Sequence, residues 1–265
     1  MGDVAQGVAT PPAGRRTTYH MRRHIAEALS LALLPLPRLL NLFGSDKERP
    51  GQHAYGASYD ALLRSRRLRR VKLLEIGILG GDSLLAWRAY FPRGEIVGCD
   101  IEPKQHLAGG RIRVHTTDQG SASDLDALAR AEGPFDIVID DGSHLCAHQL
   151  FTFRRLFPHL KDGGLYVIED VQTSFWPVEV GGFAWDGKTV DDPAFGQTCV
   201  GEFLALAPYL NHEEFITLDG VDEARLALGR QIRRITFEHN LIIVEKGANL
   251  LPSNYMRRSY LRPSG

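Results

Sequence analysis

Residues 231–247, QIRRITFEHNLIIVEKG, carry two apolar, strand-like runs with only His239 and Asn240 between them. So short a gap admits a tight turn and little else, and the pair reads as an antiparallel hairpin. The chain before it has a different rhythm. From residue 71, apolar runs alternate with amphipathic ones: VKLLEIG, SLLAWRAYF, EIVGCDI, RIRVHTT, SDLDALARA, FDIVIDD, AHQLFTFRRLF and GGLYVIED. Continuous apolar strands separated by helices mark a parallel sheet covered on both faces. Five βα units closed by a hairpin predict an α/β fold with a seven-stranded, mostly parallel sheet.

That succession is the pattern of the class I S-adenosylmethionine-dependent methyltransferase sheet rather than of a dinucleotide dehydrogenase. Composition agrees with an ordinary globular protein: 43% apolar, 24% charged and a formal net charge of −1. The absence of a basic excess argues against nucleic acid as a main partner. Cys99, Cys146 and Cys199 are odd in number and have no C-x-x-C spacing. They point to a reducing, cytoplasmic setting and away from disulfides or a zinc knuckle. No apolar segment follows a basic start at the N-terminus, and Gln6 stands where a myristoylation signal would want Ser or Thr.

Three regions are expected: an N-terminal helical extension over 1–50, a main domain over 51–247 and a tail over 248–265. Within the extension, residues 24–43, HIAEALSLALLPLPRLLNLF, approach the apolarity of a membrane span. Glu27, Arg38, Pro35 and Pro37 interrupt the run, and the prolines break the helical ladder. A helix followed by a kinked second segment is expected, packed on the main domain or a partner subunit, with lipid contact in the interface as the alternative. The basic run RSRRLRRVK, residues 64–72, reads as a solvated helix face, or else as an anion-binding surface.

In an open α/β sheet, ligands bind outside the carboxyl ends of the strands, where the strand order reverses. The strand ends here are rich in acids: Glu75 before Gly77, Asp100, Asp118 and Gln119, Asp140 and Asp141, then Glu169 and Asp170. Gly77, Gly80 and Gly81 let backbone approach a ligand before a helix that opens at Ser83. Leu79 stands at the second glycine of G-x-G-x-x-G, so the dinucleotide pattern is not met. Glu75 and Asp100 suit S-adenosylmethionine, the first tethering its cationic end and the second accepting from the ribose hydroxyls. Asp118 and Gln119 fall beside the expected adenine pocket. Tyr55 and Tyr59, before the first strand, are placed to close over cofactor or substrate, or simply to pack.

Asp141, Glu169 and Asp170 offer three carboxylates to a hard cation such as Mg²⁺, which leaves about three octahedral positions for substrate hydroxyls and water. Asp140 and Ser143 suit capping of the next helix. His144 stands three residues after Asp141 and shares its face if a helix begins there. An imidazole can take a proton from a hydroxyl that a metal has made acidic. His144 and His148 have i, i+4 spacing but lack the glutamate of H-E-x-x-H, so zinc is rejected and His148 reads as structural.

The segments HAYGASYD, LLEIGILGGDSLLAWRAYFP, VGCDI, FDIVIDDGSH and LFPHLKDGGLYVIEDVQTSFWP together resemble the macrocin and mycinamicin sugar O-methyltransferase family, with rhamnosyl O-methyltransferases and cephalosporin-hydroxylase-like relatives. The resemblance runs from about His53 to Lys246. It implies that Asp141, Glu169 and Asp170 hold Mg²⁺ and that His144 is the base. It also implies a glycosylated natural product or glycolipid as substrate, and a homo-oligomer is expected. The loop after the fifth strand, VQTSFWPVEVGGFAWDGKTVDDP, brings Phe175, Trp176, Phe183 and Trp185, faces that can stack on a pyranose or anchor the loop. Two rival readings stand. A catechol-like phenol also offers two adjacent oxygens to a metal, and the hydroxylase-like relatives suggest a cofactor-binding or hydroxylase-associated protein.

Overall fold

The computed structural model describes residues 13–30, 32–177, 190–191 and 193–253. Its strands are β1 (Lys72–Ile76), β2 (Glu95–Asp100), β3 (Ile112–Thr116), β4 (Phe135–Asp140), β5 (Leu160–Glu169), β6 (Ile232–Glu238) and β7 (Leu241–Lys246). They form one sheet in the order β3-β2-β1-β4-β5-β7-β6. β1, β4 and β5 are parallel, while β7 runs antiparallel between β5 and β6. The hairpin read from residues 231–247 is therefore present, with Glu238 opposite Leu241. Asn240 turns it at a φ of 59°, a left-handed conformation that asparagine tolerates better than most residues.

The helices are α1 (Ala13–Leu29), α2 (Leu36–Phe43), α3 (Gly56–Leu63), α4 (Asp82–Tyr90), α5 (Ala122–Glu132), α6 (Cys146–Leu156), α7 (Cys199–Leu206) and α8 (Glu223–Gly229). The chain divides into two compact units. The first is drawn from Met1–Arg70, Leu79–Ile96 and Lys104–Val114, the second from Val71–Ile78, Val97–Pro103 and His115–Gly265.

In the first unit, α2 buries Leu36, Leu39, Leu40 and Phe43, an i, i+3, i+4, i+7 stripe. It packs against α4. Pro35 precedes the helix, and Gly44 ends it in the left-handed region, its N–H bonding back to Asn41 and Leu40. The 24–43 segment is thus split between two helices, and no helix of the described residues is long and apolar enough to cross a membrane. Asp60 accepts from the Leu36 amide at 3.2 Å and from Arg64 at 2.6 Å, which ties α2 to α3. Glu27 on α1 pairs with Arg88 on α4. The basic run departs from expectation: Arg64–Arg66 form only a 3-10 turn, and Arg67 stacks over the Tyr90 ring at 4.5 Å while donating to the Leu33 carbonyl. It is a partly anchored connection, because Arg67 finds an aromatic face and a backbone acceptor.

The second unit holds the main apolar core. Leu74, Val138 and Tyr166 lie in register across β1, β4 and β5 and point to one face with Leu125, Phe153 and Phe203. Phe153 stands edge-on to Tyr166 at 5.2 Å and to Phe203 at 4.9 Å. The opposite face carries Glu75, Ile139 and Val167 in one register row. Strands buried on both faces explain why their sequences read as unbroken apolar runs.

Candidate active site

The strand order reverses between β1 and β4, and there the ends of both strands meet. Gly77, just past β1, has a φ of 78°, and a Cβ on it would lie 2.0 Å from the Asp141 carbonyl oxygen. The Asp141 amide donates to the Ile76 carbonyl at 3.0 Å. Gly77 therefore serves the approach of the turn after β4, whatever it does for a ligand. Asp100 ends β2 and braces its surroundings with both oxygens, accepting from the Ile78 amide at 3.1 Å and the Glu102 amide at 3.0 Å. Glu75 is fully buried. Asp118 is exposed at the end of β3 and accepts from the Gly120 amide at 2.8 Å.

Tyr55, Tyr59, Gly81 and Ser83, also expected at cofactor or substrate, belong to the first unit. Gly81 precedes α4 in the left-handed region and accepts from the Tyr19 hydroxyl at 3.2 Å. Ser83 is buried in the first turn of α4. Tyr55 is buried and stacked on His53 at 4.8 Å. Tyr59, expected at the substrate, is instead a packing residue: it is 1% exposed and lies edge-on to Trp87 at 5.2 Å.

The turn after β4 corrects two expectations. Asp140 does not cap a helix. It shares the core-facing side with Val138, is wholly buried, and accepts from Gln119 Nε2 at 2.6 Å and from the Tyr166 hydroxyl at 3.4 Å. Burial pushes its carboxyl up to about 7, against the downward pull of the Gln119 and Gly142 hydrogen bonds. Nor do Asp141 and His144 share a helix face, because α6 begins only at Cys146, with Leu145 before it providing no side-chain cap. His144 is in the turn itself at a φ of 58°. A left-handed conformation costs a non-glycine residue ~1–2 kcal/mol.

Gln119, expected beside adenine, has both ends of its amide committed to this turn: Nε2 to Asp140, and Oε1 accepting from the Ser143 amide at 2.9 Å. Ser143 Oγ lies 3.0 Å from His148 Nδ1, so His148 holds the turn too.

β5 ends in Glu169, and Asp170 follows at a φ of 56°. This second left-handed residue brings Asp170 towards the first turn. Asp141, His144 and Asp170 each offer a ligand atom, and the three atoms lie within 4.8 Å of one another. His144 Nε2 is 3.6 Å from Asp170 Oδ2. Glu169 is not one of the three. It is 1% exposed, and strand alternation sets it on the side of Val167. Trp176 is 42% exposed and free to meet a ligand, whereas Phe183 and Trp185 lie outside the described residues. Sequence reasoning missed Thr173, whose hydroxyl donates to the His144 carbonyl at 2.8 Å, and Gln149, which donates to the Glu169 carbonyl at 3.0 Å.

Oxygen donors beside an imidazole suit a hard divalent ion next to a group able to accept a proton. His144 Nδ1 is buried without a hydrogen-bond partner among the described residues, so this ring is not locked into the fold at that nitrogen.

Residues 74–171 match the family model described as a methyltransferase domain. The mycinamicin VI 2''-O-methyltransferase of Micromonospora griseorubida is 41% identical over 74% of this chain and 49% of its own length. The demethylmacrocin O-methyltransferase of Streptomyces fradiae is 40% identical over 74% of this chain and 49% of its own. A solved structure of the MycE methyltransferase from the mycinamycin biosynthetic pathway, in complex with Mg, SAH and mycinamycin VI, is 38% identical, with a TM-score of 0.70 over 82% of this chain and 56% of that one. The chain spans about half the length of the curated relatives it matches. Over that span the chain is similar to the mycinamicin and macrocin O-methyltransferases and shares the class I methyltransferase fold of the solved one.

Proposed function

We propose that this protein is a Mg²⁺- and S-adenosylmethionine-dependent O-methyltransferase that methylates a sugar hydroxyl of a glycosylated natural product or glycolipid. The observation that carries the reading is the cluster of Asp141, His144 and Asp170 at the reversal of strand order. Support comes from the similarity to proteins named mycinamicin VI 2''-O-methyltransferase and demethylmacrocin O-methyltransferase, and to a MycE methyltransferase solved in complex with Mg, SAH and mycinamycin VI.

The residues fit both groups. The paired carboxylates of Asp141 and Asp170 would hold the cation. Asp100 would accept from the ribose of the cofactor, and Glu75 would face its positive end. When bound, the cofactor supplies a methyl group already activated on a sulfonium and the ion supplies the charge that acidifies a hydroxyl. The protein's own part is to position and to move one proton. His144, held near Asp170, takes the proton of the sugar hydroxyl as that oxygen becomes the nucleophile. The exposed Trp176 offers a flat face to the sugar ring. Positioning of this kind can account for a large share of the rate when the donor needs no further activation.

The test is an acceptor screen with radiolabelled S-adenosylmethionine, offering macrolide and rhamnose-bearing glycosides, glycolipids, the matching aglycones and simple catechols. Label transferred to glycosides and not to aglycones or catechols supports the reading. Preferential methylation of catechols would move the substrate class to phenols, and no transfer to any acceptor would favour a cofactor-binding role.

A further inference from the structure

His144 and Asp170 both occupy left-handed backbone conformations, at φ of 58° and 56°. Residues in such conformations stay there only when their surroundings over-determine them. The two residues belong to separate turns, one after β4 and one after β5, so something must set one turn against the other. Among the described residues, side-chain contacts join the segments. Gln149 Nε2 donates to the Glu169 carbonyl at 3.0 Å, and Cys146 Sγ meets Ser174 Oγ at 3.5 Å. Both act on neighbours of the reactive pair. The third acts on the pair itself: Thr173 Oγ1 lies 2.8 Å from the His144 carbonyl and 3.4 Å from that of Asp170. Thr173 is 3% exposed, so water is a poor substitute for it.

Resting on the reading of this cluster as the active site, we infer that Thr173 is a positioning residue, its hydroxyl setting the His144 turn against Asp170. A hydroxyl has one proton to give, and the shorter contact shows where it goes. Without that bond the His144 carbonyl loses its fixed donor and the imidazole loses its fixed aim. Misplacement by ~1 Å can cost up to ~10²-fold in rate. A single lost neutral hydrogen bond sets a smaller expectation, about tenfold.

Thr173→Val keeps the shape and removes the donor, whereas Thr173→Ser keeps the donor. Both variants of the full chain are compared with wild type in four measurements: Mn²⁺ affinity by electron paramagnetic resonance, S-adenosylhomocysteine affinity by calorimetry, kcat and KM for methyl transfer, and melting temperature. Thr173→Val should lower kcat about tenfold and weaken Mn²⁺ binding severalfold, with S-adenosylhomocysteine affinity unchanged. Thr173→Ser should restore kcat and Mn²⁺ affinity. A Val variant that is less stable yet equal to wild type in kcat and Mn²⁺ affinity overturns the inference and makes Thr173 a packing residue. Equal impairment of Val and Ser overturns it as well, because the hydroxyl would then not be the active feature. If the Val variant does not fold, Thr173→Ala takes its place in the same comparison. If wild type binds Mn²⁺ but methylates no glycoside, the proposed substrate class fails while the Mn²⁺ comparison still decides the role of Thr173.

Discussion

Replacing His144 with alanine separates proton transfer from structure. The imidazole is one-third exposed, and its 3.6 Å approach to Asp170 is too long for a hydrogen bond. Such a pair contributes at most ~0–1 kcal/mol to stability. The left-handed backbone strain stays in the variant, since alanine likes that region no better than histidine. The fold should therefore lose less than ~1 kcal/mol, a melting shift of no more than about 2–4 °C for a chain of this size. The chemistry should suffer far more. Loss of a general base costs ~10²–10⁴ in rate, or about 3–5 kcal/mol of barrier. Single-turnover methyl transfer and melting temperature are measured on the same preparation, and Mg²⁺ affinity by calorimetry. The expected result is a folded, metal-binding and nearly inactive protein. Full activity in His144→Ala refutes the assignment of the base. Strongly weakened Mg²⁺ binding would instead make His144 the third ligand of its own cluster.

Other perturbations reach different parts of the account. Asp141→Asn should abolish Mg²⁺ binding and turnover but leave S-adenosylhomocysteine affinity nearly intact; calorimetry with unchanged metal affinity would displace Asp141 from the site. Asp100→Asn should weaken S-adenosylhomocysteine by about 1.5–3 kcal/mol, the worth of a charge-assisted hydrogen bond, and unaltered affinity would move the ribose elsewhere. Burial works to raise the Asp60 carboxyl, but the Arg64 guanidinium and the Leu36 amide outweigh it and hold the group below its ordinary value of 3.8. Its stabilisation is then complete above about pH 4 and is lost as pH falls through the lowered folded value. Asp60→Asn should lower the melting temperature at pH 7 by about 2–4 °C, for roughly 1 kcal/mol, and the gap to wild type should close in acid. A gap that widens in acid would contradict the sign of that shift.

What the sequence made legible follows from which signals are local. The apolar runs of β1, β4 and β5 could be read because strands buried on both faces have no polar alternative. The hairpin could be read because His239 and Asn240 leave no room for a crossover. Asp141 and Asp170 were visible because carboxylates at successive strand ends are costly to keep together without a purpose. The ties were not legible. Gln119 looked like a cofactor residue, yet it reaches Asp140 and Ser143, and Thr173 reaches back to His144. Contacts over such separations leave no pattern in neighbouring residues. The left-handed φ of His144 and of Asp170 was equally hidden, since neither residue type demands it. Without those turns, the sequence suggested a helix face for Asp141 and His144 where the structure has a loop. Asp140 was read as a cap because aspartate favours that place, whereas strand alternation buries it under Gln119 and Tyr166.

The claim on which the rest depends is metal-dependent methyl transfer to a sugar hydroxyl. It is tested most directly by incubating metal-depleted protein with ¹³C-methyl S-adenosylmethionine and a macrolide glycoside, with and without restored Mg²⁺, and locating the label in the product by NMR. The account predicts a ¹³C-methoxy signal on the sugar, formed with Mg²⁺ and absent in EDTA. Label on the aglycone, or equal transfer in EDTA, would contradict it.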